Sequence, residues 1–278
     1  MSFKIVVDSC CDLTPQMMKE GCYIKVPLTI RSGGSVFIDD ESFDQADLLA
    51  SMKADANAPS TACPSPQAYL DAYEGGEGDI YVVTLSALLS GSHNSAEQAK
   101  RLLEEEQPDR NVYVFNSCSA VTGEVLVAQK IKELASAGYP FKHVVRETEE
   151  FIYRMQTLFV LENLDNLRKN GRLTRLQAVV TGALKIKLFM GATKEGEIYK
   201  LGQALSIKQA LSKMTDYIAQ DLDHEGRVCA ICHCNNPRRA QMVKEMLEER
   251  CRFQKFEMLE AGGVTTVYAN DGGIVVSY

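Results

Sequence analysis

VVTLSALLSGSHNSA, residues 82–96, is a short apolar run that stops in a Ser/Gly-rich loop and restarts with helical spacing. It reads as strand, loop, helix, with Ser90, Gly91 and Ser92 where the chain turns into the helix. The first N–H groups of a helix have no partners within it, so a serine there satisfies one of them as an N-cap. Alternatively the vacancy takes an anion, which the helix dipole also favours. Taken alone, Ser90 or Ser92 is expected as the cap.

The same alternation extends in both directions. Upstream, Lys4 to Val7 reads as a strand ending at Asp8, then a helix capped by Thr14, begun by Pro15 and stopped by Gly21. Tyr23 to Ile30 and Val36 to Ile38 flank Ser32-Gly33-Gly34 as a hairpin, and Ser42 is expected to cap a helix carrying Leu48, Leu49 and Met52. PSTACPSP, residues 59–66, is a loop by composition, placing Thr61 just ahead of a helix that Ser65 caps and Pro66 opens. Downstream come a strand from Val112 to Phe115 and helices from Thr122 to Ala137 and Phe141 to Met155. Strands alternating with helices imply a parallel sheet covered on both faces, whose ligands collect at the strands' carboxyl ends. Asp8, Ser86, Ser90 and Asn116 map to that edge.

After Gln156 the order changes. Leu158 to Leu161 is a strand, Leu164 to Asn170 a short helix stopped by Gly171, and Arg172 opens another segment. Ile186 to Met190 and Ile198 to Leu201 form a hairpin around Lys194-Glu195-Gly196, followed by a helix from Ser206 to Leu222. Val228 to His233, Phe253 to Leu259, Val264 to Tyr268 and Ile274 to Ser277 are expected strands around a helix from Pro237 to Arg250. The fold class is therefore α/β: an N-terminal three-layer domain with a parallel sheet, residues 1–156, and an α+β domain on a mixed sheet, residues 157–278. The hairpin excursion around residues 23–55 is expected to pack on the second domain.

With 278 residues, 45% hydrophobic and 24% charged, the chain is long enough for two cores. Thirty basic residues against 37 acidic ones, a net charge of −7, argue against a nucleic-acid binder. The opening MSFKIVVDSC reads as neither signal peptide nor anchor, and no apolar run reaches a membrane span. A cytoplasmic setting without membrane insertion is expected, with the nine cysteines as free thiols.

Chemistry-bearing motifs mostly dissolve under geometry. Cys229-Ala-Ile-Cys232-His233 matches a haem-attachment string, but on a strand residues three apart point to opposite faces, so the two cysteines cannot share a metal. No metal or other cofactor is expected. Cys10-Cys11 reads as loop packing rather than a redox pair. The histidines His93, His143, His224 and His233 include no base in an evident triad, and neither a nucleophile elbow nor a Walker loop is present. What remains is hydroxyls and backbone N–H groups without a catalyst: Thr61 and the Ser90 to Ser92 turn as carboxylate ligands, with Leu85, Leu88 and Leu89 beside them. An enzyme acting on a small acid or phosphate through Asp8, Asp12 or Cys10 with Ser92 is the alternative.

Several motifs also carry a family resemblance. Asp8-Ser9-Cys10-Cys11-Asp12-Leu13 resembles the D-S-T-x-D-L opening of the DegV family, and Val26-Pro27-Leu28 its V-P-L. Residues 59–66 resemble its P-x-T-S-Q-P-S-P loop, and Leu89 to Ala96 its L-S-G-T-Y-x-S-A turn. Leu164 to Leu173 is similar to L-x-x-L-x-x-G-G-R-I, and His233 to Pro237 to a histidine-led strand end closing in N-P. The resemblance implies a non-catalytic two-domain protein holding one long-chain fatty acid between its domains and presenting it to a separate fatty acid kinase subunit. Thr61, Ser90, Gly91 and Ser92 would then hold the carboxylate, with Arg172 at the mouth facing the head group or the partner. The chain departs from the pattern at several positions, among them Ser92 for threonine, His93 for tyrosine and Cys63 for glutamine. Tyr268 stands where the family's carboxylate-binding histidine is expected, Lys185-Ile186-Lys187-Leu188 replaces N-I-K-P, and an arginine is missing around Ala204 to Ser206.

Overall fold

A computed structural model describes residues 3–75, 78–173 and 186–278. Its first layer is a parallel sheet of four strands, β1 (Phe3–Asp8), β2 (Tyr23–Val26), β6 (Asp79–Thr84) and β7 (Val112–Asn116), in the order β2-β1-β6-β7. From Ile80 to Thr84 every side chain of β6 is buried, as a central strand covered on both faces requires. On one side lie α3 (Pro66–Tyr73) and α4 (Ser92–Glu106); on the other lies α5 (Thr122–Ser136), flanked by α6 (Phe141–Arg154). Short α1 (Pro15–Met18) follows β1, with Thr14 Oγ1 accepting from Met17 N as its cap.

The second layer is a mixed sheet of six strands. They are β8 (Thr157–Val160), β9 (Lys187–Ala192), β10 (Ile198–Ala204), β11 (Val228–His233), β12 (Lys255–Glu260) and β13 (Ile274–Ser277), in the order β10-β9-β8-β13-β11-β12. Gly196, at φ +85°, turns the β9–β10 hairpin. The outer face is covered by α8 (Ile207–Gln220) and α9 (Pro237–Arg250). The inner face meets α5, which packs against β1 and β6 on one side and β11 and β13 on the other. Residues Thr122 to Ala128 of α5 are accordingly buried on all sides, and the largest core cluster draws on both sheets, from Val83 to Phe159 and Val275.

Cys229 belongs to the core outside the six-stranded sheet and Cys232 to the core inside it, so the alternation of β11 does separate them. All nine cysteines are free. Among the described residues no helix is long and apolar enough to cross a membrane.

The structure corrects several local expectations. Tyr23 to Ile30 is not one strand: Pro27 has no N–H for the ladder, Leu28 N donates to Ser9 Oγ at 3.0 Å, and the chain leaves the parallel sheet. It restarts as β3 (Thr29–Ser32), which pairs with β4 (Ser35–Ile38) through a turn whose Gly33 and Gly34 both have positive φ. The cap of α2 (Gln45–Ala54) is Asp44, not Ser42, whose hydroxyl bonds Asp40 at 2.6 Å instead. Thr61 lies not in a loop but in β5 (Ser60–Ala62), antiparallel to β3.

The largest departure is Val264 to Tyr268, expected as a strand and folded as α10 (Gly263–Ala269). Its β-branched residues favour strands, but Asp39 accepts hydrogen bonds from Gly263 N at 2.7 Å and Val264 N at 3.0 Å, and Asp12 Oδ1 accepts from Gly262 N at 3.0 Å. Two buried carboxyl groups at its first turn override the propensity. Val267 completes a small core with Ile30 of β3 and Leu48 of α2, and Gln45 Nε2 donates to Ala261 O at 2.8 Å. The segment opened by Arg172 continues through Arg175 to Lys185 outside the described residues, and Gly76 lies outside them too.

Candidate functional site

The carboxyl ends of β6 and β7 face the inner side of the six-stranded sheet across a cavity. Asp8, fully buried at the end of β1, ties this edge together by accepting from Cys10 N and from Leu85 N, each at 3.0 Å. Burial pushes its carboxyl up to about 6. The cavity is lined by Leu85 and Leu89 after β6, Ala120 and Val121 after β7, Phe159 of β8, Ile198 of β10, and Val264 and Tyr268 of α10. The space open to the centre of a water molecule is about 100 Å³, several times what one buried water needs. Such apolar walls favour an apolar ligand.

One end is polar. Thr61 Oγ1 and Tyr268 OH share a hydrogen bond of 2.8 Å, joining β5 to α10. Two hydroxyls sharing one bond keep one proton between them for a ligand. Ser90 Oγ lies 3.1 Å from Ser92 Oγ and accepts from Ser92 N at 3.2 Å. Arg172 Nε donates to Leu89 O at 3.1 Å, Nη1 donates to Asn170 O, and the guanidinium carbon stands 5.7 Å from the centre of the Tyr268 ring. Those carbonyls fix the guanidinium without neutralising it, and among the described residues no carboxylate pairs with Arg172. A cation fixed beside three hydroxyls offers the charge and the donors that an anionic group requires.

Thr61, Ser90, Arg172 and Tyr268 all line the cavity; Gly91 and Ser92 do not. The N-cap of α4 is Gly91, not Ser90 or Ser92. Ser92 is the first helical residue and fully buried, behind Ser90. Gly91 marks a close approach, since a Cβ there would meet Cys63 Sγ at 3.0 Å, so the absent side chain lets the Thr61 segment reach the Ser90 turn. Leu85 and Leu89 face the cavity, whereas Leu88 is 61% exposed.

The residues proposed for enzyme chemistry fare differently. Asp8, Asp12 and the four histidines are outside the lining. Burial pushes Cys10, which does line it, well above the usual thiol range, so it stays a thiol rather than a thiolate. His93 Nδ1 faces Thr84 Oγ1 at 3.2 Å, and burial lowers its pKa.

Sequence reasoning missed the hydroxyls of Ser119 and Thr157, which line the cavity and lie 2.6 Å apart. The one available signal was the alternation of Thr157, Phe159 and Leu161, which places a threonine on an otherwise apolar face.

The family model described as "Uncharacterised protein, DegV family" matches residues 2–278. A DegV domain-containing protein of Streptococcus pneumoniae is 36% identical over 281 residues, covering 100% of this chain and 99% of that relative. Among solved structures, a DegV family protein from Ruminococcus gnavus, refined with vaccenic acid, superposes with a TM-score of 0.96 at 44% identity, covering 100% of both chains. The Streptococcus pneumoniae fatty acid kinase (Fak) B3 protein, loaded with linoleic acid, gives a TM-score of 0.90 at 33% identity, covering 100% of this chain and 99% of that one.

Proposed function

The chain belongs to the DegV family, and from that premise we propose that it is a carrier binding one long-chain fatty acid, with the carboxylate at Thr61, Ser90, Tyr268 and Arg172 and the acyl chain along the apolar walls. The observation that carries this reading is the make-up of the cavity: Thr61, Ser90, Tyr268 and the cation of Arg172 gather at one end, the walls are mainly apolar, and among the described residues no aspartate, glutamate or histidine is in the lining. A carboxylate is satisfied there by charge-assisted hydrogen bonds, and the chain gains by leaving water. Fatty acids held by two similar family members support it.

The carrier acts in the cytoplasm and presents the carboxylate to a separate ATP-using kinase subunit, which forms an acyl phosphate for lipid synthesis. Arg172, at the mouth, meets the head group or that subunit. Gly91 and Ser92 act from behind, the glycine by allowing the close approach and the serine by orienting Ser90. The 1–156 and 157–278 division enters this reading as two halves closing on one ligand.

Mass spectrometry of the protein's organic extract tests the proposal: a long-chain fatty acid is expected at about one per chain. Absence of a co-purifying acid, together with no binding of added palmitate or oleate, overturns it. Tyr268 favours a second reading, a lipid binder without a kinase partner, because a neutral phenol stands where the family's histidine is expected. Acyl-phosphate formation with a bacterial fatty acid kinase subunit separates the two: a Tyr268→His variant that turns over while the parent stays inert supports the second.

A further inference from the structure

Four buried hydroxyls form a continuous chain below the cavity. Thr122 Oγ1 lies 2.7 Å from Ser277 Oγ, Ser277 Oγ 2.9 Å from Thr157 Oγ1, and Thr157 Oγ1 2.6 Å from Ser119 Oγ. Ser119 Oγ in turn donates to Ala120 O at 3.3 Å. All four residues are less than a tenth exposed, and of the four only Ser119 and Thr157 line the cavity. Thr157 and Phe159 of β8 and Leu161 just past it line the cavity in turn, and Leu161 leads on to α7 (Asp165–Lys169) and Arg172. Four residues of extended chain separate Thr157 from Leu161, about 13 Å.

Counting protons gives this end a definite polarity. Each hydroxyl has one proton to donate and two lone pairs. With the Ser119 proton on the main-chain acceptor Ala120 O, the order that uses each remaining proton once has Thr157 donating to Ser119, Ser277 to Thr157 and Thr122 to Ser277. Every proton is then used, while Thr157 and Ser119 each keep a lone pair. The cavity floor thus offers acceptors and lacks a donor. A plain acyl chain leaves these lone pairs without a partner in an apolar space, a ketone would set acceptor against acceptor, and an alcohol would donate to them.

We infer that Ser119 and Thr157 form a second polar subsite, and that the protein prefers a long-chain fatty acid bearing a hydroxyl on its acyl chain over the unsubstituted acid. The inference rests on the carrier reading above and adds a ligand class to it. Its test is a competition on the delipidated full-length protein, with stearic acid, hydroxystearic acids substituted at successive positions along the whole acyl chain, and the matching ketostearic acids, bound species being read by mass spectrometry. At least one hydroxy isomer is expected to be held about three- to tenfold over stearic acid, as one added hydrogen bond allows, and its keto analogue no better than stearic acid. In Ser119→Ala and Thr157→Val proteins the hydroxy-to-stearic ratio falls to about one.

No isomer exceeding stearic acid, a keto acid matching the hydroxy acid, or a preference that survives in both variants overturns the inference and leaves the carrier reading standing. Failure of stearic acid and every derivative to bind overturns both. Should the variants not fold, the hydroxy-against-keto comparison on the unaltered protein decides alone.

Discussion

The two ends of the cavity are built by different means. The Tyr268 end brings together a three-residue edge strand, a serine turn, an arginine held by main-chain carbonyls and a tyrosine on a seven-residue helix. The hydroxyl-chain end sits on the first residue of α5, the first residue of β8 and the last residue of β13, together with Ser119 ahead of α5, where both sheets meet the central helix. One end is assembled from pieces that need outside support; the other is part of the core. Changes at the first should act through what holds the pieces, and changes at the second mainly through stability.

The sharpest way to break this contrast is Asp39→Ala. It removes the carboxylate that accepts from Gly263 N and Val264 N, and two charge-assisted hydrogen bonds are worth about 3 kcal/mol or more. Denaturant unfolding should show that loss, with fatty-acid binding weakened because α10 carries Tyr268. Equal binding by the variant would mean that α10 is not held from its first turn.

Acidity offers the next lever. Burial, and then the neighbouring Asp39, pushes the Asp12 carboxyl from 3.8 up to about 7. A carboxyl raised on folding contributes stability that is fully present below about pH 4 and is lost as pH rises through about 7. Asp12→Asn keeps an oxygen for Gly262 N and removes the titration. The variant is expected to be more stable than the parent at about pH 8, by about 2 kcal/mol, with a flatter curve of melting temperature against pH. An unchanged curve would show that Asp12 does not titrate in this range.

Tyr268→Phe separates binding from folding. It deletes only the hydroxyl that meets Thr61, so palmitate affinity by calorimetry should fall about tenfold with little change in melting temperature. Smallest is Thr122→Val, which removes the first member of the hydroxyl chain. It should cost about 1 kcal/mol of stability and leave the Tyr268 end unaffected; a loss of palmitate binding there would join the two ends after all.

Legibility in the sequence followed the range of the forces involved. Helix α9 was readable from Pro237 to Arg250 because Asn236, Pro237 and the basic last turn act within a few residues of one another. The β9–β10 hairpin and the βα units were readable for the same reason. Val264 to Tyr268 was not, because what makes it helical is Asp39, more than two hundred residues away in the chain. The site divided the same way. Thr61 and Ser90 stood out as hydroxyls ahead of helices, and Arg172 and Tyr268 only through the family resemblance, but Ser90 rather than Ser92 facing the cavity depends on where α4 starts, and Ser119 with Thr157 becomes a pair only when the two sheets close on α5.

By itself, then, the amino-acid sequence determined the alternation of most strands and helices, the caps at Thr14 and Ser65, the glycine turns, the separation of Cys229 from Cys232 and the polar corner at Ser90, since period and local hydrogen bonding are properties of neighbouring residues. Tertiary structure alone decided that β2 and β3 part at Pro27, that a β-branched run becomes α10, and that hydroxyls distant in sequence line one cavity. Those outcomes depend on burying carboxyl and hydroxyl groups only where distant partners satisfy them.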